Sequence, residues 1–357
     1  MSVKGVLYCH SSADGGAELA APLLAKSLDL ALWVRGDGAL PERASRLGIS
    51  VRRFRSTADS RQRSLLQSLV AVLQLAYVQI EVFRVLRRER PEVVLSNSVQ
   101  GMLHLAVPCK LARVPLVCYV RDLGAGGNRP ASLTRVLRML TRYFAVDRVF
   151  NSELTRRSWR VAGIVVPTAV EDRFYSVDRA PADAPEVLML GRIARWKGQD
   201  LAIEAVNEVT AAVPGVRMVI AGDAEFGDEF PLPRAEFPLE MRGHVVEVEA
   251  LFRSAWVLVH ASRTPEPFGQ VLAQAAAAGV PIVCSDEGGQ FDWLIPDDSC
   301  VAVDVRDTRA FGSAIASTLL DADRASVMAR QARVASGRFR APAVYEPIKT
   351  LLEGLRS

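Results

Sequence analysis

The chain has 357 residues, of which 50% are hydrophobic and 24% are charged. This balance excludes a disordered or fibrous chain and supplies enough apolar residues for a large core. Because single hydrophobic cores stop growing near this length, we expect two domains.

The charge is unevenly distributed along the chain. Residues 1–165 hold 25 Lys and Arg against 12 Asp and Glu, net +13, whereas the remaining residues hold 19 against 28, net −9. A cationic first half is typical of proteins that meet nucleic acid, an anionic membrane surface or an acidic ligand. Nucleic-acid binding is not expected, because the arginines are spread and lack interleaved aromatic residues.

The cysteines and the amino terminus indicate the compartment. Five scattered cysteines without a C-x-x-C pair are typical of buried thiols in a reducing environment: Cys9, Cys109, Cys118, Cys284 and Cys300. The apolar run at the start is too short for the core of a signal peptide. We therefore expect a cytoplasmic protein.

Short apolar runs alternate with helical patterns along the whole chain. The first series of predicted strands comprises 5–9, 30–34, 92–98, 115–120 and 147–152, and the second comprises 187–192, 216–223, 256–262, 281–285 and 300–304. Continuous apolar strands separated by helices predict βαβ units with buried parallel sheets. The predicted fold is α/β, with two Rossmann-like, doubly wound parallel-sheet domains facing a central cleft and ligands bound beyond the carboxyl ends of the strands.

Composition also indicates the domain boundaries. The segment 166–185 has several prolines and no sustained period, and is predicted to be a linker. It separates an N-terminal domain of residues 1–165 from a C-terminal domain of residues 186–338. Residues 339–357 are predicted to form a helix that returns toward the N-terminal domain.

The segment 60–90 is unusually apolar. Gln67, Gln74 and Glu81 interrupt it at seven-residue spacing, and arginines flank both ends. This pattern favours a crossover helix buried on most of its surface. Partial insertion into a bilayer surface with arginine anchors and a membrane span are the alternatives.

Two loops at predicted strand ends suit an anion. Gly15 and Gly16 follow the first strand, where they form either a tight turn or an approach for backbone amides to an anion. In "LGRIARWKGQD" (190–200), Arg192 follows a strand and Lys197 precedes a helix. Two cations at such an edge can neutralise a diphosphate and stabilise its departure, or they are incidental charges of a solvated loop.

A third loop contains an acid fixed by two prolines. Glu266 lies in "TPEPFGQ", directly before a helix rich in alanine. Its carboxylate can accept hydrogen bonds from sugar hydroxyls while the amides of Phe268 and Gly269 donate to others, and Gln274 lies two helical turns further along a similar face. The simpler alternative is that Glu266 complements the positive end of the helix dipole.

The segments "LGRIARWKGQD", "SRTPEPFGQVLAQAAAAGVPIVCSDEGG" and "SADGGAE" together closely resemble the retaining glycosyltransferases of family 4, which have the GT-B fold. The resemblance covers almost the full chain and is strongest over residues 187–292. It implies that Arg192 and Lys197 bind the diphosphate of the donor and that Glu266 contacts the transferred sugar, so these three are the expected catalytic residues.

The resemblance also implies a set of donor-binding or nucleotide-binding residues: Gly15, Gly16, Arg121, Gly191, Phe268, Gly269, Gln270 and Gln274. Two of these depart from the family pattern. Gln274 stands where the family has the Glu that holds the ribose, and a neutral amide can still bond hydroxyls. Arg121 stands where many relatives have His, which removes a contact to the sugar and offers a cation to a phosphate.

The activity that the resemblance implies is transfer of a sugar, with retention, from a UDP- or GDP-linked donor to a hydroxyl of a glycan or lipid-linked acceptor, in cell-envelope polysaccharide or glycolipid synthesis. No metal or other cofactor is expected, because no cluster of His and Asp is apparent and the cationic pair can replace Mg²⁺. The expected partners are the nucleotide sugar, the acceptor and an anionic membrane surface at the inner face of the cell membrane.

Other classes of protein stay open. A binding or scaffold protein could keep the GT-B shape without chemistry, and Gln274 and Arg121 favour it. Against it, Arg192, Lys197 and Glu266 are all present. A nucleotide-sugar epimerase or a phosphorylase of the same architecture is the second alternative. A nicotinamide dehydrogenase is disfavoured, because no G-x-G-x-x-G opens the first helix and "GAGG" (124–127) lies in a loop.

Overall fold

The computed structural model describes residues 4–12, 15–56, 65–124, 130–224 and 230–356, with the backbone alone for 65–69. Asp14 beside the glycine pair, residues 60–64 of the predicted long helix and 125–127 of "GAGG" lie outside the described residues. The chain divides into two compact units. Unit 1 comprises Met1–Ala169 with Ala341–Ser357, and unit 2 comprises Val170–Arg340. The division after Ala169 falls inside the predicted linker.

Unit 1 is built on a parallel sheet. Its described strands are β1 (Gly5–Cys9), β2 (Ala31–Arg35), β3 (Val51–Phe54), β4 (Val93–Ser96), β5 (Leu116–Val120), β6 (Asp147–Phe150) and β7 (Ile164–Val165). They pair in the order β3-β2-β1-β4-β5-β6-β7, and every pair is parallel. The inner strands are apolar on both sides because helices cover both faces.

The helices of unit 1 are α1 (Gly16–Ser27), α2 (Leu40–Arg46), α3 (Leu65–Glu89), α4 (Val99–Ala112), α5 (Ala131–Phe144), α6 (Glu153–Trp159) and, at the end of the chain, α13 (Glu346–Gly354). One core contains residues of α3, α4 and α5, and the opposite core contains residues of α1, α2 and α13. Tyr345 joins the second core, and its hydroxyl accepts a hydrogen bond from the Ala169 amide at 2.9 Å. The end of the chain is therefore part of unit 1.

Unit 2 repeats the architecture. Its described strands are β8 (Glu186–Leu190), β9 (Arg217–Ala221), β10 (Leu239–Met241), β11 (Val257–His260), β12 (Ile282–Ser285) and β13 (Val301–Val303), in the parallel order β10-β9-β8-β11-β12-β13. Its helices are α7 (Asp172–Tyr175), α8 (Gln199–Val209), α9 (Glu249–Ser254), α10 (Gln270–Ala278), α11 (Thr308–Leu320) and α12 (Ala322–Ser336). The expectation of two Rossmann-like parallel-sheet units is confirmed.

The strand order of unit 2 determines where its loops meet. β8, β11 and β12 are neighbours in the sheet, and the chain leaves all three at the same edge. β9 lies on the other side of β8, so the direction of winding reverses between β8 and β11, where sheets of this kind bind ligands. The loops that contain Arg192, Glu266 and Gly288 follow β8, β11 and β12 and lie at this edge.

The sequence left open whether the apolar segment that forms α3 spans a membrane. Among the described residues, no helix is both long enough and apolar enough to cross a membrane. Val78, Val82 and Leu86 of α3 are buried in the core, as expected for a crossover helix. The prediction of burial on most of the helix surface is wrong, because its opposite face leaves apolar side chains exposed: Val70, Val72, Leu73, Tyr77 and Ile80.

Candidate functional site

Lys197 and Glu266 form an ion pair at the carboxyl edge of the unit 2 sheet. The distance from Lys197 Nζ to Glu266 Oε2 is 2.8 Å, and each side chain is only 15% exposed. The two residues come from the loops after β8 and β11. The structure therefore brings together two of the three expected catalytic residues.

One oxygen of Glu266 receives all of its described partners. Besides Lys197, the Ser262 hydroxyl donates to Oε2 at 3.3 Å, and His260 Nε2 lies 3.4 Å from it. Ser262 Oγ and His260 Nε2 are themselves 3.2 Å apart. Within the described chain, Oε1 has no hydrogen bond, so this oxygen is the one that can accept from a ligand.

These contacts keep Glu266 ionised. Burial alone raises the pKa of its carboxyl, but the charge of Lys197 and the hydrogen bonds from His260 and Lys197 together hold the pKa well below its ordinary value. A carboxylate in this state accepts hydrogen bonds and has no proton to give. The chemistry of the site therefore suits Glu266 as a positioning acceptor and not as a general acid.

A single glycine lets the Lys197 loop touch the loop after β11. Gly198 has φ +76°, and a Cβ there would lie 2.1 Å from the carbonyl oxygen of Ala261. The buried Gln199 side chain supports the same loop, because its Nε2 donates to the Arg192 carbonyl at 2.9 Å. Close approach and a left-handed backbone both require glycine at this position.

Arg263 ties the two loops together. Its guanidinium donates two hydrogen bonds to Asp200, at 2.7 and 2.6 Å, and one to the Arg195 carbonyl at 2.6 Å. Its amide donates to the Trp196 carbonyl at 2.8 Å. Burial raises the pKa of Asp200, but the bonds from Arg263 more than offset this and lower it. This bidentate pair holds Lys197 in register with Glu266.

Arg192 and Lys197 lie near the same aromatic ring. The guanidinium carbon of Arg192 is 6.0 Å from the centre of the Trp196 ring, and Lys197 Nζ is 4.2 Å from it. Gly191, which precedes Arg192, has φ +142° and open space around its Cα. The edge thus presents two cations on one indole, an arrangement that suits an anionic ligand.

The Pro-Glu-Pro turn is anchored on both sides. The Glu266 carbonyl accepts from the Gly289 amide at 2.7 Å, which links it to the loop after β12. The Phe268 side chain is buried against Phe339 and Trp293, with ring centres 5.2 and 6.2 Å away. The side chain of Phe268 therefore anchors the turn, and only its backbone is left for a ligand.

The start of α10 offers amide donors. Gly269 caps the helix with φ +84°, and neither its amide nor that of Phe268 donates a hydrogen bond within the described residues. Gln270 and Gln274 follow on α10, one helical turn apart and both partly exposed. Glu266, Gln270 and Gln274 are thus spaced by four residues along the turn and the helix.

The remaining expected residues belong to unit 1. Gly15 is the extended residue before α1, and Gly16 is the first residue of that helix. Arg121 directly follows β5 and is 8% exposed. The structure thus assigns these three to unit 1 and the other expected residues to unit 2.

His260, Ser262, Arg263 and Trp196 are site residues that the sequence analysis missed. The signal that could have found them is the polar run "HASR" at the end of a predicted apolar strand, since strand ends carry ligand-binding groups. The described residues contain no cluster of three or more His, Cys, Asp or Glu that could hold a metal. In the Asp-Ala-Asp sequence at 321–323, Asp321 accepts from the Arg324 amide and caps α12.

Comparison with known proteins finds a family match within unit 2 of the chain. Residues 172–335 match the family model described as "Glycosyl transferases group 1". The chain is 32% identical over 174 residues to D-inositol 3-phosphate glycosyltransferase of Xylanimonas cellulosilytica, covering 44% of this chain and 40% of that one. It is 32% identical over 192 residues to the lipopolysaccharide core biosynthesis glycosyltransferase LpsE of Rhizobium meliloti, covering 50% and 54%. The chain spans about half the length of these relatives.

Solved structures show the same fold over the whole chain. Anabaena Alr3699/HepE in complex with UDP-glucose superposes with a TM-score of 0.83 at 21% identity, covering 99% of this chain and all of that one. Sucrose-phosphate synthase from Thermosynechococcus elongatus superposes with a TM-score of 0.72 at 18% identity, covering 98% of both chains. At these identities the likeness shows the fold, which is that of the GT-B glycosyltransferases.

Proposed function

Since residues 172–335 match the group 1 glycosyl transferases and the fold is GT-B, we propose that this protein is a retaining glycosyltransferase. It transfers a sugar from a UDP- or GDP-linked donor to a hydroxyl of a glycan or lipid-linked acceptor. The observation that carries the proposal is the ion pair between Lys197 and Glu266, because it joins a phosphate-binding cation and a sugar-binding carboxylate at one strand edge.

The diphosphate is assigned to the cations. Arg192 and Lys197, near one indole ring, neutralise the charge that develops on the leaving phosphate. The proposal needs no metal for this step, since the cationic pair supplies the positive charge that Mg²⁺ supplies elsewhere. Gly191 leaves room for the backbone to approach the phosphates.

The sugar is assigned to Glu266 and the start of α10. Oε1 of Glu266 accepts from sugar hydroxyls, while the amides of Phe268 and Gly269 donate to others. Gln270 and Gln274 extend this polar face toward the nucleotide. The low pKa of Glu266 and its bond to Lys197 make it a poor nucleophile, so it orients the sugar.

The bond changes follow from these assignments. The bond between the anomeric carbon and the donor phosphate oxygen breaks, and a bond from the acceptor oxygen forms on the same face. The acceptor hydroxyl gives its proton to the departing phosphate oxygen. The enzyme contributes charge neutralisation and orientation, which are effects of several kcal/mol in related chemistry.

Thermal-shift measurements with UDP, GDP and their sugars test this proposal. We expect one nucleotide class to raise the melting temperature, and turnover of the matching sugar to persist in EDTA with the anomeric configuration retained in the product. A binding or scaffold protein would show protection without turnover. Protection by neither nucleotide would contradict a donor site.

We also propose that unit 1 contacts an anionic membrane surface through its outer helix faces. On α3, the exposed Leu73, Tyr77 and Ile80 lie at helical spacing and continue into the exposed Arg84, Arg87 and Arg88. On α5, the exposed residues Leu133, Val136, Met139 and Tyr143 form a second apolar stripe. Lys110 lies 3.5 Å from the centre of the Tyr143 ring. Apolar stripes that end in cations suit the interface of an anionic bilayer.

Vesicle sedimentation tests the membrane contact. Replacing Arg84, Arg87 and Arg88 with Gln should weaken binding to phosphatidylglycerol vesicles, and Tyr77→Ser should weaken it further. The matched control replaces three exposed arginines of unit 2, Arg253, Arg309 and Arg330, with Gln. Equal binding by wild type and the triple arginine variant would contradict the proposed membrane contact.

A further inference from the structure

Two arginines are buried at the carboxyl edge of the unit 1 sheet. Arg35 is the last residue of β2 and is 2% exposed, whereas Arg121 directly follows β5 and is 8% exposed. Burial of a guanidinium is unfavourable unless a counter-charge and hydrogen-bond acceptors surround it. The two side chains differ in how many such partners they have.

Arg35 is fully satisfied within the fold. Its NH2 donates to the Glu81 carboxylate at 2.7 Å, its NH1 donates to the Arg55 carbonyl at 2.6 Å, and its Nε donates to the Tyr8 hydroxyl at 3.4 Å. All three nitrogens have acceptors, and one acceptor is negatively charged. Arg35 thus has the partners that a structural arginine needs.

Arg121 has far fewer partners. Its NH1 donates to the Thr168 hydroxyl at 3.1 Å, and its guanidinium carbon lies 4.1 Å from the centre of the Tyr119 ring. Its Nε and NH2 are buried without a hydrogen-bond partner, and no carboxylate of the described residues forms an ion pair with it. In the described part of unit 1, Arg121 is therefore a buried cation that lacks an anion.

The two unpaired nitrogens define the shape of the missing partner. Nε and NH2 form one edge of the guanidinium, and their N–H groups point in parallel. This edge matches two oxygens of a carboxylate or a phosphate, which it binds through two hydrogen bonds. A single carbonyl oxygen would have to be shared between the two donors, which is a weaker arrangement than two separate oxygens.

Asn97 follows β4 and Asn151 follows β6, the two strands on either side of β5, and Asn151 Nδ2 donates to the Arg121 carbonyl at 3.2 Å. The Asn97 side chain, after β4, donates to the Ala17 carbonyl at 2.9 Å, and its oxygen is buried without a partner. Burial raises the pKa of the nearby Cys9 thiol, as does the charge of Glu18, while Arg121 and Asn97 act in the opposite direction. Glu18 is a buried carboxylate of α1 that affects the same thiol.

We propose that Arg121 is the cation of a second binding site, within unit 1, that takes a carboxylate or phosphate group on its Nε and NH2 edge. The Asn97 oxygen would accept a hydroxyl of the same ligand. Because both nitrogens are shielded from solvent, the pair would form in a water-excluded place and be strong. The existence of the site does not depend on the proposed function. The source of the anion does, because the anion is either the donor diphosphate or an acidic group of the acceptor.

Thermal-shift titration of the full chain tests the site. The double variant Arg192→Ala, Lys197→Met removes the two unit 2 cations that are proposed to bind the donor diphosphate. Inorganic phosphate or glucuronate should still raise the melting temperature of this variant. Adding Arg121→Met should abolish that protection. Unchanged protection by both anions after this third substitution would overturn the proposal.

UDP distinguishes the two sources of the anion. If Arg121→Met alone removes protection by UDP, the edge holds the donor diphosphate. If UDP still protects this variant while phosphate or glucuronate no longer does, the edge holds an acidic group of the acceptor. Failure of UDP and GDP to bind wild type would contradict the proposed function and leave the phosphate result standing.

Stability without added anion is an independent readout. Arg121→Met removes an unpaired buried charge and keeps a long side chain over Tyr119, so it should melt at or above the wild-type temperature in a buffer without small anions. The matched control Arg35→Met loses three partners and should melt clearly lower. A fall for Arg121→Met as large as that for Arg35→Met would show that the guanidinium is satisfied within the fold and would overturn the proposal.

Discussion

Lys197 Nζ and Glu266 Oε2 are 2.8 Å apart, although 69 positions separate the two residues in the chain. The pair connects the loop after β8 with the loop after β11, and each partner fixes the other. Removing either side chain would leave a buried charge without its counter-charge, which is costly.

Lys197→Met should lower kcat by about 10²- to 10³-fold, because a cation that stabilises the leaving phosphate is lost. The same change should raise the pKa of Glu266, whose depression depends on that charge. Steady-state kinetics between pH 5 and pH 9 would show a new loss of activity on the acid side, absent in wild type. Lys349→Met, at an exposed pair with Glu346, is the control. Turnover within threefold of wild type would contradict the role of Lys197.

The same pair predicts a pH dependence of stability. A carboxyl whose pKa is lowered in the folded state stabilises the protein above its unfolded pKa, about 4.3 for Glu. That contribution is lost as the pH falls from this value toward the folded pKa. Lys197→Met should therefore be less stable than wild type at pH 7, and urea titrations should show the difference shrinking below about pH 4.

His260 and Ser262 are predicted to position Glu266. His260→Leu removes one neighbour of Oε2 and should lower kcat by about tenfold while KM for the donor changes less, since the carboxylate loses its orientation and not its charge. His260→Gln places an amide nitrogen near the position of Nε2 and should recover much of the loss. Equal kinetics for His260→Leu and wild type would show that Lys197 alone holds the carboxylate.

Gly198→Ala should destabilise unit 2 by more than about 2 kcal/mol, because it combines a left-handed backbone with a Cβ 2.1 Å from the Ala261 carbonyl oxygen. Gly215→Ala isolates the first effect, since Gly215 has φ +79° and open space around it. The control should cost about 1 kcal/mol. Urea unfolding measures both variants. Equal costs would mean that the loops after β8 and β11 are not in close contact.

Arg263→Lys should weaken the link between these loops. Lysine cannot make two parallel bonds to Asp200, and the loss should cost about 1–2 kcal/mol of stability at pH 7 and reduce turnover. Since the pKa of Asp200 is lowered in the fold, this stability is present above its unfolded pKa of about 3.9 and is lost below it. Arg340→Lys, at the exposed pair with Asp172, should change stability by less than about 0.5 kcal/mol. Similar costs for both variants would contradict the special role of Arg263.

The sequence predicted the strands that are buried on both faces. β1, β5, β8 and β11 are continuous apolar runs, and each was expected close to its observed position. β3 and β10 were missed because both lie at sheet edges, where "VRRF" and "LEM" keep charged residues exposed and break the apolar run. β7 was missed as well, because it has only two residues. The edge strand β13 was predicted, because its run at 300–304 is apolar.

The sequence predicted site residues only where a charged residue follows an apolar strand. This pattern identified Arg192, Lys197 and Glu266, and in the structure Lys197 and Glu266 are in contact. The convergence of His260 and Ser262 on one oxygen was not predictable, since it depends on backbone placement to within a few tenths of an ångström. The pairing of Arg263 with Asp200, 63 positions apart, likewise depends on the sheet order.

The most direct test of the central claim is a crystal structure of the protein with the nucleoside diphosphate sugar that protects it in thermal-shift measurements. The account predicts Arg192 and Lys197 within hydrogen-bond distance of the diphosphate and Glu266 Oε1 on a sugar hydroxyl. A nucleotide sugar bound away from these three side chains would contradict it.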